Sequence, residues 1–124
     1  MMTRTEQIQD ILRSIRSASA DIVGSAILTS DGFVIASMLP AEIDEEEISA
    51  MAATLLGAGE RIASEVLSSE LEQAFVRSSK GYMIVNALSE HEVLIILTNQ
   101  RIKLGLVFLE CRNRTEELQR LLGR

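Results

Sequence analysis

The sequence predicts an α/β (α+β) fold: one five-stranded antiparallel sheet and three helices, in the order α-β-β-α-β-β-β-α. Three observations carry this expectation. Three segments repeat apolar residues at helical spacing, and five β-rich runs bounded by turn residues lie between them. The last two of those runs are apolar on consecutive residues. Antiparallel strands usually keep one wet face, so continuous apolarity means that both faces of the sheet centre are covered. Three helices are available to cover them.

The first helix is expected over Thr5 to Ala18. Ile8, Ile11, Leu12 and Ile15 fall on one face, with Glu6, Gln9, Arg13 and Arg16 elsewhere, and Thr5 is the candidate cap. Two β-rich runs then flank Asp31-Gly32 between Gly24 and Ser37, a favoured hairpin turn because both residues tolerate positive φ. Pro40 ends the second strand. Asp44 opens the second helix as an N-cap, with Glu47 three residues on in a capping-box position, and the run Asp44–Glu47 suits the positive end of the helix dipole. Leu71 to Ser78 is the third strand, Tyr82 to Leu88 the fourth and Val93 to Thr98 the fifth, with turns at Ser79-Lys80-Gly81 and Ser89 to Glu92. The third helix begins near Ile102 to Leu104 and runs to about Leu122. Leu104, Phe108, Cys111, Thr115, Leu118 and Leu122 follow the helical repeat, and Gly105 suggests close approach to a strand.

The 124 residues make one domain, 1–124, large enough for a real core. Hydrophobic residues are 47% but aromatics only 3%, so Ile, Leu, Val, Ala and Met must build that core. A net charge of −6 disfavours nucleic-acid binding, which needs a basic surface. Arg4, Glu6 and Asp10 interrupt any signal-peptide pattern, and the weakly polar run Ile48 to Gly59 is too short to span a bilayer. Direct membrane insertion is not expected. The single Cys111 excludes an internal disulfide and fits a reducing, cytoplasmic setting.

The second helix is unusual. Projected as a regular helix, Ile48, Met51, Ala52, Leu55, Leu56, Gly59, Ile62, Ala63 and Val66 form one stripe suited to the sheet. A second stripe holds Ala50, Ala53, Thr54, Gly57, Ala58 and Arg61. Small side chains at this spacing let another helix backbone come close, by analogy with helix pairs in membranes. No fourth helix exists to fill the role. Either a loop of the same subunit covers the stripe, or the same helix of a second copy packs on it in an isologous twofold contact.

Gly24 to Ser37 with its Asp31-Gly32 hairpin, the Ala/Gly-rich helix, and Val93 to Thr98 followed by Leu104-Gly105 and a closing helix together resemble the Roadblock family, the dynein light-chain Roadblock type, with its bacterial and archaeal members. The resemblance covers almost the whole chain. It implies a profilin-like sandwich with one helix on one sheet face and the two terminal helices on the other. It implies a homodimer in which third strands pair edge to edge and second helices pack side by side. The interface then combines Ala50, Ala53, Thr54, Gly57, Ala58 and Arg61 with Leu71, Gln73, Phe75 and Arg77. The resemblance also implies function, because Roadblock dimers are platforms for small Ras-like GTPases or adaptors in larger assemblies. The gliding-motility relative acts as a GTPase-activating protein, but this chain ends soon after its third helix and lacks a long C-terminal extension. A GTPase platform on paired second helices would be rimmed by Glu46, Glu60, Arg61 and Ser64.

The chemistry-bearing residues point away from catalysis. His91 is the only histidine and lies in a turn between Glu90 and Glu92, where a solvated side chain is the plain reading. Cys111 reads as core, and with no second Cys or His nearby neither a zinc site nor a Cys–His nucleophile is supported. Gly57-Ala58-Gly59 is followed by Glu-Arg in mid-helix, so it is no phosphate loop. Arg112, Arg114, Arg120 and Arg124 make the last helix basic, either as a solvated face or as a patch for an acidic partner. Arg61 is the one candidate for an arginine finger. No catalytic residue, cofactor or metal is expected. The alternative to a GTPase adaptor is a profilin-like or PAS-like ligand-sensing module, for which Asn86, the one strongly polar residue in the two apolar strands, is the supporting feature.

Overall fold

The computed structural model describes residues 1–123. Its elements are α1 (Arg4–Ser17), β1 (Ile22–Thr29), β2 (Val34–Met38), α2 (Glu45–Arg61) continued by a π-helical turn (Ile62–Val66), β3 (Gln73–Ser78), β4 (Gly81–Ala87), β5 (Glu92–Asn99) and α3 (Leu104–Leu121). All strand pairs are antiparallel, in the order β2-β1-β5-β4-β3. The expected fold class and element order therefore hold.

The sheet centre is apolar on both faces because both are covered. On one face Ala26, Leu28, Val85, Val93 and Ile95 pack with Ile48, Ala52 and Leu56 of α2. On the other, Ile27, Ile84, Leu94 and Ile96 pack with Ile8, Leu12 and Ile15 of α1 and Val107, Cys111 and Leu118 of α3. Full burial of a large aliphatic side chain contributes about 1.5–3 kcal/mol. Packing of this kind, more than intrinsic propensity, holds a 14-residue helix such as α1 in place.

Several boundaries differ from the sequence expectation for physical reasons. The cap of α1 is Thr3, not Thr5. Thr3 Oγ1 accepts from the Glu6 amide at 3.1 Å while the Glu6 carboxylate takes the Thr3 amide at 3.4 Å, a complete capping box. Asp44 caps α2 by accepting the Glu46 and Glu47 amides at 3.0 and 3.2 Å. Glu47 does not return the bond, and two carboxylates at one helix end repel each other. The first hairpin turns through four residues, Ser30 to Phe33, with Gly32 at φ 91°. The expected approach at Gly105 is absent, since an added Cβ there would meet nothing within 4 Å.

The two sheet edges are dressed differently. Along β2 the pairing with β1 is broken by a bulge between Ile27 and Leu28, and Gln9 Nε2 donates to the Ser37 carbonyl at 2.9 Å. The other edge is β3, paired only on its β4 side.

Candidate functional site

The small-residue face of α2 is largely open. Ala50, Thr54, Gly57, Ala58 and Arg61 are exposed and run as a ridge along the helix, while Ala53 is half-buried. The reason is the first hairpin turn: a Cβ on Gly32 would lie 3.5 Å from the Ala53 Cβ and 3.2 Å from the Ser49 carbonyl oxygen. A loop of the same subunit thus covers the stripe at Ala53 and leaves the rest bare.

The opposite, sheet-facing stripe is narrower than projected. Ile48, Ala52, Leu56 and Ala63 are buried, but Met51 and Ile62 are 56% exposed and Val66 is 72% exposed. The π turn over Ile62–Val66 explains the last two. A turn closed by i→i+5 bonding takes up extra chain, so the residues after Arg61 rotate away from the face that a regular helix would give them. Leu67 is also exposed. No apolar periodicity signals such a turn, and the cluster it creates at the end of α2 escaped the helical projection.

The third-strand residues divide differently from the expected interface. Leu71 precedes β3 and packs inward: a Cβ on Gly59 would lie 3.0 Å from its Cδ2. Gln73, Phe75 and Arg77 share the α3 side of the sheet, because their partners Asn86, Ile84 and Tyr82 face that layer. Phe75 stacks at a tilt on Tyr82 and Phe108, with ring centroids 6.0 and 6.3 Å away. Val76 lies opposite Met83, on the α2 side, and is exposed. The α2 ridge and the three odd-numbered side chains therefore occupy opposite faces, joined by the backbone edge of β3.

Of the rim residues, Glu60, Arg61 and Ser64 cluster within one turn, while Glu46 is about 20 Å away at the other end of α2. All four are exposed. The Arg61 guanidinium reaches Glu65 at 3.4 Å, and Ser64 Oγ donates to the Arg61 carbonyl at 3.5 Å.

Asn86 is a structural tie. Gln73 Nε2 donates to Asn86 Oδ1 at 3.1 Å, Asn86 Nδ2 donates to Thr115 Oγ1 at 3.2 Å, and Thr115 Oγ1 donates to the Cys111 carbonyl at 2.5 Å. The chain links β3, β4 and α3. Cys111 is 2% exposed, and burial, reinforced by the Glu110 charge, pushes its thiol up to about 11. His91 is exposed in the β4–β5 turn. Arg112 and Arg120 are exposed, and Arg114 is half-buried against Glu110 at 3.2 Å. Arg124 lies outside the described residues. Among the described residues no group of three or more His, Cys, Asp or Glu is placed to hold a metal, and no helix is long and apolar enough to cross a membrane.

Comparison with known proteins agrees with this architecture. Residues 8–98 match the model of the Roadblock/LC7 domain. The chain is 35% identical over 98 residues to the uncharacterized protein MJ1340 of Methanocaldococcus jannaschii, covering 79% of this chain and 85% of that one. Its fold is similar to that of Myxococcus xanthus MglB, with a TM-score of 0.86 at 19% identity over 94% of this chain and 95% of that chain. It is also similar to Acanthamoeba castellanii profilin IA, with a TM-score of 0.64 at 13% identity over 90% and 95% of the two chains.

Proposed function

The chain belongs to the Roadblock/LC7 family, and on that premise we propose that it is a non-enzymatic homodimeric adaptor that binds a small Ras-like GTPase. The observation that carries this reading is the bare ridge Ala50, Thr54, Gly57, Ala58 and Arg61 on a helix whose other face is packed on the sheet. A twofold copy laid along the ridge brings two α2 helices side by side, and the open edge of β3 supplies unpaired backbone groups for a second, sheet-extending contact. The exposed Ile62, Val66, Leu67 and Val76 lie on the same layer as that contact and add apolar area to it.

Side-by-side helices make a shallow platform with a small, flat middle. Charged rim residues mainly set association rate and partner choice, and the buried middle sets affinity. Arg61 is the rim residue to test. Among the described residues its ion pair is an exposed one with Glu65, which leaves it available to a partner. Titration calorimetry of the protein against small GTPases from its own cell, each loaded with GDP and with a GTP analogue, is the experiment. One of them is expected to bind, and Arg61→Glu, at the end of the ridge where the self-contact gives way to the rim, to weaken it while sedimentation still shows a dimer. Silence from every GTPase in both nucleotide states removes the reading. The titration names the partner, and phosphate release from that GTPase loaded with GTP, with and without the dimer, reads any acceleration of hydrolysis.

A further inference from the structure

A broad cleft of about 1440 Å³ opens where the chain descends from α2 into β3, and it draws its lining from both helix layers. It is larger than the roughly 300–1,000 Å³ of sites that enclose a small molecule. The cleft wraps the entry to β3, and its apolar lining is Leu56, Leu71 and Val93 on the α2 side of the sheet and Phe108 on the α3 side. Its rim carries five carboxylates, those of Glu60, Glu70, Glu72, Glu90 and Glu116. Against them stand two guanidiniums, and Arg61 is already turned to Glu65.

The amide side chains and the Thr115 hydroxyl within the cleft are already engaged. Gln73, Asn86 and Thr115 bond one another, and Gln119 Nε2 donates to the Leu88 carbonyl at 2.5 Å. A small polar ligand would have to break that chain to be recognised, and the rim repels an anion. What fits is length, an apolar anchor and positive charge. We propose that this cleft binds a cationic polypeptide segment of a partner protein, with a large apolar side chain against the half-buried Phe108 and Lys or Arg against the carboxylates on either side. Gly57 and Arg61 at the α2 end of the cleft belong to the self-contact proposed above, so the segment is placed on the β3–α3 side, where Glu72 and Glu116 stand outside the α2 platform and the proposal goes beyond the GTPase reading.

The test is selection of a random-peptide display library on the purified intact protein, followed by fluorescence anisotropy with the leading peptide. Peptides combining Lys or Arg with a large apolar residue are expected, and their affinity should fall as salt rises. The variant Glu72→Lys/Glu116→Lys should bind the leading peptide about tenfold more weakly, two exposed attractions having become repulsions. Glu42→Lys/Glu45→Lys makes the same change of net charge at exposed sites outside the cleft and should leave binding within about twofold. Circular dichroism checks that both variants are folded. Three results overturn the proposal: no enriched family, an acidic or neutral family, or equal losses in the two double variants.

Discussion

Replacing Gly57 with alanine separates the fold of one protomer from the contact between two. Within the protomer an added Cβ at Gly57 meets nothing within 4 Å, so the substitution adds no clash. The helix interior then gains the usual advantage of alanine over glycine, about 1 kcal/mol, or about 4 °C in melting temperature for a chain of this size. Gly59→Ala is the internal control. There the new methyl would lie 3.0 Å from Leu71 Cδ2 and 3.7 Å from the Ala74 Cβ, so the Leu71 side chain must give way and most of the gain is lost. In a twofold contact along the ridge, Gly57→Ala inserts two methyls where the backbones approach. Overpacking of that sort costs about 1–3 kcal/mol, which raises the dissociation constant roughly five- to 150-fold. Sedimentation equilibrium reads the dimer, and urea unfolding at concentrations below dissociation reads the protomer. The expected result is a tougher protomer and a weaker dimer. A less stable protomer refutes the reading of Gly57 as open. A wild type that stays monomeric at tens of micromolar, or an unchanged dissociation constant, refutes the helix contact.

Three further outcomes follow from single contacts. Gly81→Ala should cost about 3 kcal/mol or more, visible as a lowered urea midpoint or loss from the soluble fraction, because its Cβ would stand 2.0 Å from the Thr98 carbonyl oxygen at φ 152°. Asn86→Ala should cost about 1–2 kcal/mol in equilibrium unfolding, since Gln73 and Thr115 both lose a partner. Cys111 should react with a thiol reagent at neutral pH only after denaturant is added. Its raised pKa favours the neutral thiol in the folded state, so its contribution to stability is complete below 9.0 and declines as pH rises toward about 11. A pH titration of the urea midpoint, wild type against Cys111→Ala, checks that direction.

Much of the architecture was legible because burial and periodicity coincide. Ile8, Ile11, Leu12 and Ile15 are buried as their spacing demands, and the consecutive apolar residues of β4 and β5 do lie under helices on both faces. Asp44 caps its helix through the short carboxylate reach that its position suggests. Thr3 was readable and missed: Thr3-x-x-Glu6 is a capping box, whereas three residues after Thr5 stands Ile8. The interaction surface was less legible. A helical projection assumes a constant turn, and the π turn at Ile62–Val66 breaks that assumption where the exposed apolar residues lie. The cover over Ala53 comes from a hairpin tip distant in sequence, and the tie from Gln73 through Asn86 to Thr115 joins three elements whose approach no local pattern encodes.

The bond from Gln9 to the Ser37 carbonyl has a consequence for the size of any assembly. A sheet with two open edges is a bifunctional monomer, and bifunctional monomers grow into chains. Here one edge is crimped by the bulge in β1–β2 and occupied by a side chain from α1, while the other is free. A unit with one reactive end stops at a pair, because the twofold contact consumes both free ends. In the homodimer proposed above, a helix on the flank of the sheet thereby acts as a chain terminator, through the single amide of Gln9.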